Sequence, residues 1–145
     1  MENKRIVMGS DHAGLSLKLK VKAHLEARGF AVIDVGTHTP ESCNYTVYAD
    51  ALCKVLTGGE ADLGILVCGT GIGMSMVANK VPGVRCALCG DCFSAEMTRR
   101  HNDANMLAMG AGMIGKNVAE RIVDVFLATE FEGGRHQRRV DKIEG

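Results

Sequence analysis

The sequence predicts a three-layer αβα sandwich built on a five-stranded parallel sheet. Two observations carry this: five short apolar runs that are β-branched or bounded by glycine, and an amphipathic stretch after each of them. Strand and helix in regular alternation imply parallel strands, right-handed crossovers and helices on both faces of the sheet. No repeat, low-complexity block or Pro/Ser-rich linker divides the chain, so its 145 residues form one expected domain, 1–145, with a polar and basic tail from about 132.

The expected strands are Arg5 to Met8, Ala31 to Val35, Leu63 to Val67, Arg85 to Cys89 and Met106 to Met109. The first helix, Leu15 to Arg28, gathers Leu15, Leu17, Val21 and Leu25 on one side, sets Lys18, Lys20, Lys22 and Glu26 largely elsewhere, and stops at Gly29. Val47 to Leu56, Gly73 to Lys80, Phe93 to His101 and Asn117 to Leu127 read the same way. The expected strand order is 2-1-3-4-5. Ligands of such sheets bind beyond the carboxyl ends of the strands, so the loops after the first and third strands, neighbours at the switch point, are the place to look.

Charge and composition narrow the partners. Lys plus Arg and Asp plus Glu both number 17, leaving no overall field to draw the chain to nucleic acid or an anionic membrane. No apolar run is long enough to span a bilayer, and Met1 to Asp11 has no apolar signal-like core, which points to a cytoplasmic protein. Six cysteines in such a chain are expected as reduced thiols.

Cys68-Gly69-Thr70-Gly71-Ile72-Gly73 follows the third strand and opens a helix. Its glycines allow a tight turn, and its free amides together with the helix start favour a negative group. Cys68 beside them is a candidate base or nucleophile, the alternative being a buried structural thiol. Asp91, about 20 residues on, also suggests a dinucleotide loop. Against this, the glycines run GxGxG and the unit is third rather than first in the chain.

Asp11 and His12 follow the first strand; the pair could move protons or hold phosphate, and Asp11 could equally cap the helix. His101 and Asn102 close the fourth helix, as an acid or base near neutral pH or as a plain C-terminal cap. Cys86, Cys89 and Cys92 have a metal-like spacing, but a strand turns the first two to opposite faces, so no metal is assigned. Met74, Met76, Met106 and Met109 read as core filler. Arg135 and Arg139 share a face if the tail is helical and could clamp a phosphate; a solvated basic tail is the alternative.

GSDHAG at the first loop, CGTGIGMSMVANKVPGVRCAL in the middle, RRHNDANML later and EFEGGRHQRRVDKI at the end together resemble the type B ribose-5-phosphate isomerases, which share their fold with galactose- and allose-6-phosphate isomerases. The resemblance covers nearly the whole chain. It implies an aldose-ketose isomerisation through a cis-enediolate, without metal or cofactor, with Cys68 as the base. It further implies that Thr70 and the amides of Gly69, Gly71 and Gly73 stabilise the oxyanion, that Asp11 assists transfer between O1 and O2, and that His101 opens the sugar ring. Tyr45 and Asn102 would position hydroxyls, and His12, Arg135 and Arg139 would bind phosphate. A homodimer or tetramer with shared sites is implied, the His101 region coming from the neighbouring subunit. Two departures stand out: Gly112 where relatives carry arginine, and Asn44-Tyr45-Thr46 where they carry Asp-Tyr-Pro. The preferred sugar, pentose or hexose phosphate, stays open, as does a non-catalytic sensor that kept only the pocket.

Overall fold

The computed structural model describes residues 4–145; the first three residues of the charged Met1 to Asp11 stretch lie outside it. Five strands, β1 (Arg5–Ser10), β2 (Ala31–Asp34), β3 (Leu63–Cys68), β4 (Cys86–Leu88) and β5 (Met106–Gly110), alternate with α1 (Leu15–Ala27), α2 (Tyr45–Thr57), α3 (Ile72–Ala78), α4 (Cys92–Asn102) and α5 (Lys116–Ala128). A sixth helix, α6 (Arg135–Glu144), makes the tail helical rather than a solvated coil. Its His136 and Val140 are buried, and it packs on α4.

All pairings are parallel and the sheet order is β2-β1-β3-β5-β4. The expected order is corrected at its last two strands, and burial gives the reason. β5 is buried along its whole length and needs a neighbour on each side, whereas β4 is three residues long and partly exposed, which suits an edge. β1 still lies beside β3, so the loops after them meet as expected.

Two apolar layers flank the sheet. Leu17, Val21 and Leu25 of α1 pack with Ala119, Ile122 and Phe126 of α5 on one face, while Leu52 and Cys53 of α2 pack with Met74 and Ala78 of α3 on the other. Burying each large side chain contributes roughly 1.5 to 3 kcal/mol. Cys86 faces the second layer and Cys89 the first, the divergence the strand period requires, and all six cysteines are free thiols.

Two assignments along the helices are corrected. Lys18 is 0% exposed, on the inner side of α1, because its long stem carries the ammonium to Asp34 Oδ1 (2.7 Å) and the Thr37 carbonyl (2.6 Å). Met76 is exposed rather than core, since the short α3 buries only Met74 and Ala78. Among the described residues no helix is long and apolar enough to cross a membrane.

Candidate active site

The carboxyl ends of β1, β3 and β5 hold three loops against one another. Cys68 is the last residue of β3, in register with Gly110 of β5, and its carbonyl accepts the Ala111 N–H at 2.8 Å. The Asp11 N–H donates to the Val67 carbonyl at 3.3 Å, which brings the loop after β1 alongside. Asp11 and Cys68 are 7% and 5% exposed, so both polar groups sit at the floor of this junction.

The glycine loop is shaped around the sulfur. The Gly71 N–H donates to Cys68 Sγ at 3.1 Å, and the Ile72 N–H to Thr70 Oγ1 at 3.2 Å. Gly71 has φ of 79°, and a β carbon there would lie 2.6 Å from Leu88 Cδ1 and 2.9 Å from the Met109 carbonyl carbon. A β carbon at Gly73 would meet the Tyr45 ring at 2.6 Å, so the tyrosine lies directly over the first turn of α3. Asn44 sets that tyrosine by capping α2: its Oδ1 accepts the Thr46 N–H at 3.0 Å and the Thr46 hydroxyl at 2.8 Å.

Asp11 Oδ1 accepts the Gly14 N–H at 2.9 Å, so the carboxylate does close the turn before α1 while standing beside the Cys68 loop. At exposed His12, the Cys43 N–H donates into Nδ1 at 3.2 Å. An amide donor there makes Nδ1 the acceptor, leaving Nε2–H as the ring's donor for a ligand. This pairing across 31 positions has no signal in the sequence. Gly112 donates its N–H to the Gly69 carbonyl at 2.9 Å, and a β carbon there would stand 3.0 Å from that oxygen. Any side chain at 112 would therefore press on the loop.

The remaining candidates lie at the other end of the sheet. α4 starts beyond the carboxyl end of β4 and returns to the amino end, where the Asn102 carbonyl accepts from Arg85 Nε at 3.2 Å, one residue before β4 begins. Its 11 residues span about 16 Å, which separates His101 and Asn102 from Cys68 within one chain. The His101 ring stacks on His136 of α6, with centroids 4.3 Å apart and planes 13° from parallel. Burial first, then the positive neighbours His101 and Arg135, holds the His136 imidazole below its ordinary pKa. Arg135 and Arg139 stand exposed on the same short helix. A single chain thus brings together Cys68, Thr70, Asp11, His12, Tyr45 and the glycines, and separately His101, Asn102, Arg135 and Arg139. Cys43 joins the first group outside any motif, and His136 joins the second from within the EFEGGRHQRRVDKI segment, where no role was expected of it.

Asp91 is occupied elsewhere. Its carboxylate caps α4 by accepting from the Ser94 N–H at 2.7 Å and hydroxyl at 2.9 Å, which removes it as a ribose partner.

The fold and loop define a parallel α/β site at the carboxyl ends of β1, β3 and β5, with a sulfur at its floor. The family model for ribose/galactose isomerases matches residues 6–143. Ribose-5-phosphate isomerase B of Escherichia coli is 47% identical over 140 residues, covering 97% of this chain and 94% of that protein. The solved ribose-5-phosphate isomerase B of Clostridium thermocellum shares 48% identity with a TM-score of 0.95, covering 97% of this chain and 95% of that one. The solved Thermotoga maritima ribose 5-phosphate isomerase shares 47% with a TM-score of 0.96, covering 97% of each. The chain belongs to the ribose/galactose isomerase family and is an enzyme of the isomerase class.

Proposed function

We propose that the enzyme interconverts ribose 5-phosphate and ribulose 5-phosphate, with the Cys68 thiolate as the base. That it is a sugar-phosphate isomerase follows from its family. The observation that supports the finer reading is the Gly71 N–H aimed at Cys68 Sγ, inside a loop whose glycines let Leu88, Met109 and Tyr45 close in around the sulfur. The sulfur takes the proton from C2 of the open-chain aldose, giving a cis-enediolate, and returns it to C1. Thr70 and the amides of Gly69, Gly71 and Gly73 stabilise the oxyanion, the largest contribution expected for so poor a carbon acid. Asp11 carries the hydroxyl proton between O1 and O2.

His101 opens the furanose, Asn102 and Tyr45 orient hydroxyls, and His12, Arg135 and Arg139 hold the phosphate. Because one chain separates these two groups by about the length of α4, we assign the second group to a neighbouring subunit, in a homodimer or a pair of homodimers. Exposed Ile72, Leu88, Phe93 and Met113 around the Thr70 end support a second copy there. A cleft of about 230 Å³ between Thr70, Leu88 and Met113 would take part of it. The pentose phosphate reactions of the cytoplasm are the proposed setting. The test is turnover of pentose and hexose phosphates by purified enzyme without added metal or cofactor. Ribose 5-phosphate is expected to give the highest kcat/KM; a hexose 6-phosphate outpacing it would make this a hexose phosphate isomerase.

A further inference from the structure

The corner between α4 and α6 holds a cluster of which the proposed reaction uses only His101. His101, Glu132 and His136 each offer one ligand atom, and these atoms all lie within 4.8 Å of one another. Glu132 Oε1 stands 3.4 Å from His136 Nε2, while Arg100 Nε holds the other carboxylate oxygen at 2.6 Å. The carboxylate is thereby oriented from outside, as outer partners orient metal ligands. His136 is only 5% exposed, and its Nε2 is fully buried with no hydrogen-bond partner. A buried imidazole nitrogen without a donor or acceptor costs free energy that a bound cation would recover.

We propose that His101, Glu132 and His136 form an inhibitory site for a borderline divalent transition ion such as Zn²⁺. Two imidazoles and one carboxylate suit zinc, with the fourth position left to water. With the rings 4.3 Å apart and only 13° from parallel, their in-plane lone pairs cannot converge on one ion, so binding requires the half-buried His101 ring to rotate, drawing the donors in to the edges of about 3.4 Å that Zn–N bonds near 2.0 to 2.1 Å imply. That rotation removes His101 from the sugar. The inhibitory consequence rests on the ring-opening role proposed above, while the binding itself does not.

The experiment titrates the metal-free enzyme with Zn²⁺ by calorimetry and with Co²⁺ by visible absorption, in the wild type, Glu132→Gln and His136→Phe. The phenylalanine keeps an aromatic face over His101 and deletes the ligand nitrogen; Glu132→Gln changes a side chain near the surface and is the safer of the two for folding. Expected are one ion per chain, a nitrogen- and oxygen-type Co²⁺ spectrum without thiolate bands, and affinity at least about tenfold weaker in both variants. No binding, thiolate bands, or affinities within about threefold of wild type in both variants would overturn the site. Turnover of furanose ribose 5-phosphate is then followed against occupancy, and loss in proportion to bound Zn²⁺ is expected. Full turnover at saturation would overturn the inhibition. If the metal-free enzyme isomerises no sugar phosphate, the functional reading fails instead, and the titration still decides the metal site.

Discussion

The two ends of this sheet are built in opposite ways. At the carboxyl end, Cys68, Thr70 and the glycines come from six consecutive residues, braced by loops from the neighbouring strands β1 and β5. At the amino end, His101 and His136 meet across 35 positions through the packing of α6 on α4. Each end is fastened by a buried cation. Lys18 ties α1 to Asp34 and to the Thr37 carbonyl, and the Thr37 N–H in turn donates to the Ser10 carbonyl at 2.7 Å, next to Asp11. Arg99 donates to the Ala104 carbonyl at 2.6 Å, to Asp103 Oδ1 at 3.0 Å and to the Thr129 carbonyl at 3.2 Å. In the proposed mechanism, proton abstraction belongs to the locally encoded end and ring opening to the assembled one.

The division sets how the two ends should fail. Cys68→Ser is expected to keep its fold and substrate binding and to lose about 10² to 10⁴-fold in kcat, on open-chain and cyclic substrate alike, because the hydroxyl is a far weaker base. Near-full kcat in stopped-flow assays would remove Cys68 from the chemistry. His101→Ala should lose about 10²-fold on the furanose and much less on open-chain sugar, the typical size of a general acid-base contribution. Equal losses on both forms would make His101 a packing residue.

Stability changes should follow the fastenings. Lys18→Met leaves the buried Asp34 carboxylate with the Gly36 N–H at 2.9 Å and, as its one cation, Lys22 Nζ at 3.8 Å, and should cost about 3 kcal/mol by urea unfolding. Arg99→Met should cost about 2 kcal/mol and loosen the turn after α4 and the end of α5 first, read as faster amide exchange there than around Asp11. Exchange that rises equally at both ends would deny them separate supports.

The smallest effect concerns thiols behind the Cys68 loop. Burial, with a lesser push from Asp50, raises Cys53 to about 11, and burial raises Cys86 as well. At pH 8 roughly one Cys53 in a thousand is thiolate, and at pH 10 about one in ten, so its alkylation followed by mass spectrometry should accelerate about a hundredfold. A flat pH profile would mean that access, not ionisation, protects it.

How far the sequence reveals this molecule follows the same division. Short apolar runs mark the five strands and amphipathic stretches the first five helices, because both signals lie within the element itself. The β4/β5 order was hidden, since both runs are short and apolar and only burial on two sides places β5 inside. The burial of Lys18 is not legible because a charged residue signals exposure, while its stem reaches a carboxylate 16 positions away. The Cys68 loop was legible as six adjacent residues. The pairing of His12 with the Cys43 amide and of His101 with His136 was not, because neither pair has a periodic signal; the four-residue spacing of Glu132 and His136 was the one available hint, and it was masked by the surrounding arginines.

Subunit exchange between two inactive variants tests most directly whether the two ends cooperate across an interface. Cys68→Ser and His101→Ala chains, each inactive on furanose ribose 5-phosphate, are mixed, allowed to exchange and assayed together. With shared sites, half the dimers are mixed and each of these has one site with both residues intact, so roughly a quarter of wild-type activity should return. Activity no higher than the sum of the separate variants, with exchange verified by native mass spectrometry, would contradict the shared site.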